Sequence, residues 1–389
     1  MRRQIFARWI ACVAIAYVLS TFTLLAQCPV EPVAFGLQAP TKIIATGSGY
    51  LLIVEAGFGS NQGRISVFNP ANGQVWPLVD GLPSGFSPPN GDPSGPSGLA
   101  LVGNTLYISI GLGDAIIAGP LPNTQVANPN SSSPLFSSVL ALDLGPQGKS
   151  FHGGFLLTTA NQSTLASQQP VTLQNANGEN ATMRLIANFP DYVPEPVAGV
   201  PDNVRQSNPF GIVAIDDHLY VPDASSNNLR VIDLPADTFH TLTTFAPLLN
   251  TRGFGPPVSE AVPNSIRRFG DNLLVTLLAG FPFSPGGAQV VLVDPATGNQ
   301  TPFVTGLTSA IDVMPVKTNA NSPLLTLEFS TDMLGGLPGR LRLYNSPTAT
   351  PSTIASCLIT PTSMTQDKAT GQIYITEIFT GRVVRVSLP

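Results

Sequence analysis

The sequence predicts an all-β fold, a six-bladed β-propeller. Three observations predict it. A strand–turn–strand segment recurs: Val67-Phe68-Asn69-Pro70-Ala71-Asn72-Gly73-Gln74 aligns with Leu292-Val293-Asp294-Pro295-Ala296-Thr297-Gly298-Asn299, and more loosely with Val231-Ile232-Asp233-Leu234-Pro235-Ala236-Asp237-Thr238. Short apolar runs alternate with Gly, Pro, Asn and Asp turns, and no long helical period follows the first 26 residues. The second strands of the repeats centre near Leu52, Tyr107, Tyr220, Leu274, Leu325 and Tyr374, mostly about fifty residues apart. Repeats of this size and strand content are the signature of a propeller.

Each blade reads as four strands, from inner to outer. The first has Lys42–Ala45, Tyr50–Glu55, Arg64–Asn69 and Gln74–Val79. The second has Gly98–Val102, Thr105–Ile110 and Ser138–Leu142, with Met183–Phe189 as a returning outer strand. The third has Pro209–Ile215, Leu219–Val221, Leu229–Asp233 and Thr238–Phe245; the fourth has Ser265–Phe269, Asn272–Leu278, Gln289–Asp294 and Thr301–Thr305. The fifth has Ile311–Met314, Leu324–Glu328, Arg340–Tyr344 and Thr353–Ser356. The sixth has Thr362–Thr365, Gln372–Glu377 and Arg382–Ser387, where the chain stops without an outer strand. Pro32–Phe35, ahead of Gly36-Leu37, supplies it, because Gly81-Leu82 and Gly306-Leu307 follow outer strands in the same way. Closing the ring in this manner removes exposed sheet edges. The wide gap between Tyr107 and Tyr220 is read as an insertion over residues 119–180, rich in Asn, Gln, Ser and Pro. A seventh blade hidden there is the alternative.

Residues 1–26 read as an export signal: Arg2, Arg3 and Arg8 precede an uncharged apolar run ending at Ala26. The expected mature domain is 27–389, secreted or periplasmic; an uncleaved N-terminal helix acting as an anchor is the alternative. Loss of the three arginines takes the net charge from −5 to −8. An acidic chain with scattered cations lacks the basic footprint of nucleic-acid binding. A monomer with no membrane contact after cleavage is expected, its partner an unknown small molecule or protein. Cys12 leaves with the signal, and Cys28 and Cys357 remain for an oxidising compartment. Cys357 stands in the register of Gly36 and Gly306, while Cys28 lies eight residues before Gly36. An extended strand would hold the two cysteines ~25 Å apart, so a bridge needs a doubled-back N-terminus. Cys28 after Leu25-Ala26-Gln27 also stands where a lipid could attach, although Gln27 suits that processing poorly.

Several segments together resemble the ScyD/ScyE family of bacterial propellers. They are Ser207-Asn208-Pro209-Phe210-Gly211-Ile212, Leu219-Tyr220-Val221-Pro222-Asp223-Ala224, and Gly280-Phe281-Pro282-Phe283-Ser284-Pro285-Gly286-Gly287-Ala288-Gln289-Val290. Val54-Glu55-Ala56-Gly57 followed by Gly63-Arg64-Ile65 resembles that family's opening blade. The resemblance runs from about Gly36 to the C-terminus and implies an exported protein related to the NHL and gluconolactonase-like propellers. Most members of the family have no assigned reaction.

On one face of a propeller, the outer-to-inner loops and the loops after second strands surround the channel, and this mouth is the expected ligand site. Glu55, Asn208, Asn264 and Asp312 belong to it, with Asp223, Glu328 and Glu377 also at the ends of second strands. Carboxylates and amide oxygens facing one another suit a hard divalent cation such as Ca2+. The gluconolactonase-like propellers hold such a cation with a Glu and amide or acid residues at inner-strand starts, and Asn208, Asn264 and Asp312 are similar in placement. Pro40-Thr41-Lys42 departs from that pattern where the Glu would stand. The same acids and amides equally serve as turn caps. His152, His218 and His240 are scattered, and neither a nucleophile elbow nor a phosphate-binding glycine loop is present. Phe281 and Phe283 either shape a pocket or pack their loop. The expected function is a binding or interaction module of unassigned ligand. The alternative is a cation-dependent hydrolase or oxidoreductase-accessory enzyme acting on a small organic molecule at the channel mouth, and a third reading makes residues 119–180 an adhesive surface loop.

Overall fold

The computed structural model describes residues 28–88, 91–145, 148, 150–317 and 322–388. The expected signal, residues 1–26, lies outside them. Six antiparallel sheets follow one another along the chain. Blade 1 runs Pro40–Ala45, Leu51–Glu55, Gly63–Asn69 and Gln74–Leu82, and blade 2 runs Pro96–Val102, Thr105–Ile110, Ser138–Asp143 and Asn180–Asn188. Blades 3, 4 and 5 begin at Val213–Ile215, Pro263–Phe269 and Ala310–Pro315. Blade 6 has Pro361–Gln366, Ile373–Glu377 and Arg382–Val386, and its fourth strand is Glu31–Ala34 from the other end of the chain. The closing register pairs Glu31 with Arg385 and Pro32 with Val384, and Leu37 N donates to Gly381 O at 2.9 Å. The fold is therefore an all-β, six-bladed propeller closed by an N-terminal strand.

The strands are apolar because both faces of a blade are covered by its neighbours. Leu51-Leu52-Ile53-Val54 is buried along its whole length: Ile53 packs with Phe68 and Tyr374 toward blade 6, and Leu52 with Leu106 and Ile108 toward blade 2. Residues 119–180 are not a free loop. Phe155–Leu156 pairs parallel with the outer strand of blade 1, and a short helix, Thr159–Ala166, buries Leu165 and Gln162. The Gln162 amide donates to Gly81 O at 2.9 Å and to Asn61 Oδ1 at 3.1 Å. The insertion thus fills the joint between blades 1 and 2.

The disulfide expectation is corrected. Cys28 and Cys357 are bonded, with Cα atoms 6.0 Å apart, within the range such a bridge requires. The strand that precedes Gly36 is only four residues long and bulged between Pro32 and Ala34, and the chain bends at Pro29. Val30 then packs against the apolar cluster of blades 5 and 6 that contains Leu358. A straight run from Cys28 to Gly36, the premise of the long distance, is absent.

Around the axis the inner strands are tied to one another at their beginnings. Thr41 Oγ1 donates to Pro96 O (3.0 Å), Ser97 Oγ to Pro209 O (2.9 Å), Gly211 N to Asn264 O (3.0 Å) and Thr362 Oγ1 to Pro40 O (2.8 Å). Gly98 permits this approach, since a Cβ there would lie 2.3 Å from Phe210 O. The remaining joints, from blade 4 to 5 and from 5 to 6, are made by Asp312.

Candidate functional site

The acids at the ends of second strands share one architecture. Glu55, Glu328 and Glu377 each accept a backbone N–H from the outer-to-inner junction of their own blade: Gln38 N at 2.5 Å, Thr308 N at 2.5 Å and Ile359 N at 2.6 Å. The next residues, Ala39, Ser309 and Thr360, have φ of 53°, 50° and 47°, so the junction turns sharply just where the acid grips it. Asp223 does the same for Asn208 N at 2.8 Å. An arginine on the third strand commonly completes the clasp. Arg340 and Arg342 both pair with Glu328, Arg382 with Glu377 and Arg230 with Asp223. In blade 1, Arg64 pairs instead with Asp80, and Glu55 takes the Ser66 hydroxyl. Burial pushes the Glu55 carboxyl above its ordinary range, against the hydrogen bonds from Gln38 and Ser66.

The sequence grouped Glu55, Asn208, Asn264 and Asp312 at one mouth. They stand in blades 1, 3, 4 and 5, and no hydrogen bond among the described residues joins one to another. Asn208 Oδ1 accepts from Leu112 N at 3.2 Å, and Asn264 Nδ2 donates to Val262 O at 2.8 Å. No cluster of three or more His, Cys, Asp or Glu is gathered as a metal centre among the described residues.

Asp312 differs from the rest because it reaches the axis. It is fully buried on the inner strand of blade 5. Its oxygens take the Ser265 hydroxyl and Arg267 Nη2 (2.7 Å) from blade 4, and the Ser363 hydroxyl (3.1 Å) and Met364 N (3.0 Å) from blade 6. Lys42 Nζ of blade 1 stands 3.7 Å away. Four blades therefore meet on one carboxylate, and Arg267 adds a 2.7 Å bond to Met364 O. Burial alone would raise the Asp312 carboxyl, but the Arg267 and Lys42 charges outweigh it and hold it well below the usual carboxylate range.

Beyond this plug the axis opens. A cavity of about 570 Å³ is lined by the inner strands of all six blades, among them Ile44, Leu101, Ala214, Ile266 and Met314. Lys42 and Arg267 lie at its closed end, and Arg268, Lys317 and Lys368 lie where inner strands turn into second strands. This cavity thus opens on the face opposite to the outer-to-inner junctions. Among the described residues no Asp or Glu lines it. Asp367, next to Lys368, is used by its own turn, accepting from Ala369 N and the Thr370 hydroxyl. Phe281 of the singled-out loop is exposed and packs edge-on against Phe254 and Phe283, away from these lining residues.

Comparison with solved structures finds several similar chains. A gluconolactonase from Xanthomonas campestris is 12% identical over 94% of this chain and 91% of its own, with a TM-score of 0.48. A Thermus thermophilus protein described as a putative oxidoreductase (glucose dehydrogenase) is 14% identical over 92% and 99%, with a TM-score of 0.49. A chain of a nidogen/laminin complex is 12% identical over 87% and 94%, with a TM-score of 0.42. No protein-family model and no curated protein matches the chain. At these identities the likeness is one of fold.

Sequence reasoning missed the cavity's cations. Lys42, Arg267, Lys317 and Lys368 are far apart in sequence, and no motif joins them. The one available signal was Lys42, noted only as a departure from an acidic pattern.

Proposed function

We propose that this chain is an exported, monomeric propeller of ScyD/ScyE-like type that binds a small molecule in its axial cavity. The observation that carries this reading is the cavity itself, closed at one end by the Asp312 plug and lined by all six blades. Its volume falls within the range of small-molecule sites. Export is supported by the basic, apolar segment 1–26 and by the Cys28–Cys357 bridge, which suits an oxidising compartment. No helix among the described residues is long and apolar enough to cross a membrane.

A fragment library screened by ligand-observed NMR against the mature chain and its Ala214→Trp variant tests the reading. Ala214 lines the cavity, so the indole should fill it and the hits should disappear. Hits that persist in the variant would place binding elsewhere. Elemental analysis of the same preparation addresses the enzyme alternative: a stoichiometric divalent cation, with hits clustered at the face of Asn208 and Asn264, would favour cation-dependent chemistry there.

A further inference from the structure

We propose that the ligand of the axial cavity is an anion, a small carboxylate or phosphate-bearing molecule whose oxyanion sits at the closed end against Lys42. The inference rests on the reading of the cavity as the binding site and names the class of ligand it takes.

Charge distribution carries the argument first. The chain holds more acids than bases and has only four lysines, yet three of them, Lys42, Lys317 and Lys368, line this cavity with Arg267 and Arg268 and, among the described residues, with no acid. A concave, low-dielectric surface lined by one sign of charge concentrates ions of the other. The closed end carries it further. Two cations, Lys42 and Arg267, share the single buried carboxylate of Asp312, which leaves one positive charge in excess. Arg267 already holds three hydrogen bonds, from Nε and Nη2 to Asp312 and from Nη2 to Met364 O. Lys42 differs: its side chain is 7% exposed, and its ammonium is 3.7 Å from Asp312, beyond hydrogen-bond length. Lys42 thus has no hydrogen-bonded acceptor among the described residues, and it lines the space where an anion can enter.

The titration of Lys42 agrees with this geometry. Burial, and then the neighbouring Arg267 charge, lower its pKa to about 8, against the pull of Asp312. The charged groups facing it are Asp312 and Arg267 at the closed end and Arg268, Lys317 and Lys368 toward the mouth. An entering anion supplies the missing countercharge, so binding above pH 8 draws a proton onto Lys42.

The test uses isosteres of opposite charge. Benzoate, neutral benzamide and cationic benzylamine, with succinate and inorganic phosphate, are titrated into the mature chain by calorimetry at low salt. At least one of the three anions should bind, and benzoate should bind more tightly than benzamide and benzylamine. Lys42→Met should weaken anion binding at least tenfold, and the double variant K317E/K368E should weaken it and flatten its salt dependence. At pH 8.5, buffers of different ionisation enthalpy should report proton uptake in the parent and none in Lys42→Met. Benzamide or benzylamine binding as well as benzoate, an unchanged anion Kd in both variants, or no anion binding at millimolar concentration would each overturn the proposal. Neutral ligands that bind and are displaced by Ala214→Trp would overturn the anion assignment while leaving the cavity as the site.

Discussion

At the scale of single residues, Asp312 and Lys42 make opposite contributions at one spot. Asp312 is a buried carboxylate with every oxygen taken, and it joins blades 1, 4, 5 and 6. Asp312→Asn keeps the shape but strands the buried Lys42 and the partly buried Arg267, and removing one partner of a buried pair costs about 3–5 kcal/mol. Urea denaturation at pH 7 should show a loss of that size. Lys42 carries a penalty instead. Its pKa is about 8 in the fold and 10.5 without it, so the unfolded chain holds the proton more firmly between those values. The cost of charging Lys42 is therefore fully present below pH 8 and is relieved as the pH rises through 8 toward 10.5. The stability gap between Lys42→Met and the parent should favour the variant at pH 7 and narrow by pH 10, a comparison in which tyrosine ionisation cancels.

At the scale of elements, the recurring unit is the clasp between the end of a second strand and the junction that enters the blade. It restrains a backbone that turns through positive φ at Ala39, Ser309 and Thr360, a conformation costly for residues other than glycine. The clasps are not equal. Glu328 is held by two arginines, whereas Glu55 has none and is gripped by a hydroxyl and a backbone N–H. Glu328→Gln should destabilise by about 2–3 kcal/mol because it leaves two partly buried guanidinium groups unmatched. Glu55→Gln retains a carbonyl acceptor for Gln38 N and should cost only about 1 kcal/mol. Melting both variants beside the parent checks the contrast. If the two losses are equal, charge pairing is not what sets the strength of the clasp.

At the scale of the molecule, closure depends on residues 28–35. They complete blade 6 and, through Cys28, fasten this N-terminal segment to the outer strand of blade 5. The two cysteines are separated by 329 positions, so the bridge constrains nearly the whole unfolded chain. Cys28→Ser, or reduction, should lower stability by ~2–5 kcal/mol, read as a drop in Tm with reductant that the variant no longer shows. Deleting residues 28–35 removes the strand as well as the bridge and should destabilise more than Cys28→Ser does. An equal effect would mean that the bridge, and not strand pairing, closes the ring.

The sequence by itself determined the blade. Alternation of apolar runs with Gly, Asn and Asp turns is local chemistry, and it located the Leu51–Glu55, Leu324–Glu328 and Ile373–Glu377 strands almost to the residue. It also placed the closing N-terminal strand, because Gly36-Leu37 repeats the junction of Gly81-Leu82 and Gly306-Leu307. The acids at second-strand ends were visible as a set, and Arg64, Arg340 and Arg382 opening the next strand were the signal that most of them are clasps. What only the tertiary structure decided involves residues from separate blades. The bend at Pro29 that carries Cys28 to Cys357 depends on Val30 finding the cluster between blades 5 and 6. The basic cavity depends on six inner strands converging, so that Lys42, Arg267, Lys317 and Lys368 share one space. Strand periodicity is written in neighbouring residues, but a field at the axis is a sum over blades, and no stretch of sequence contains it.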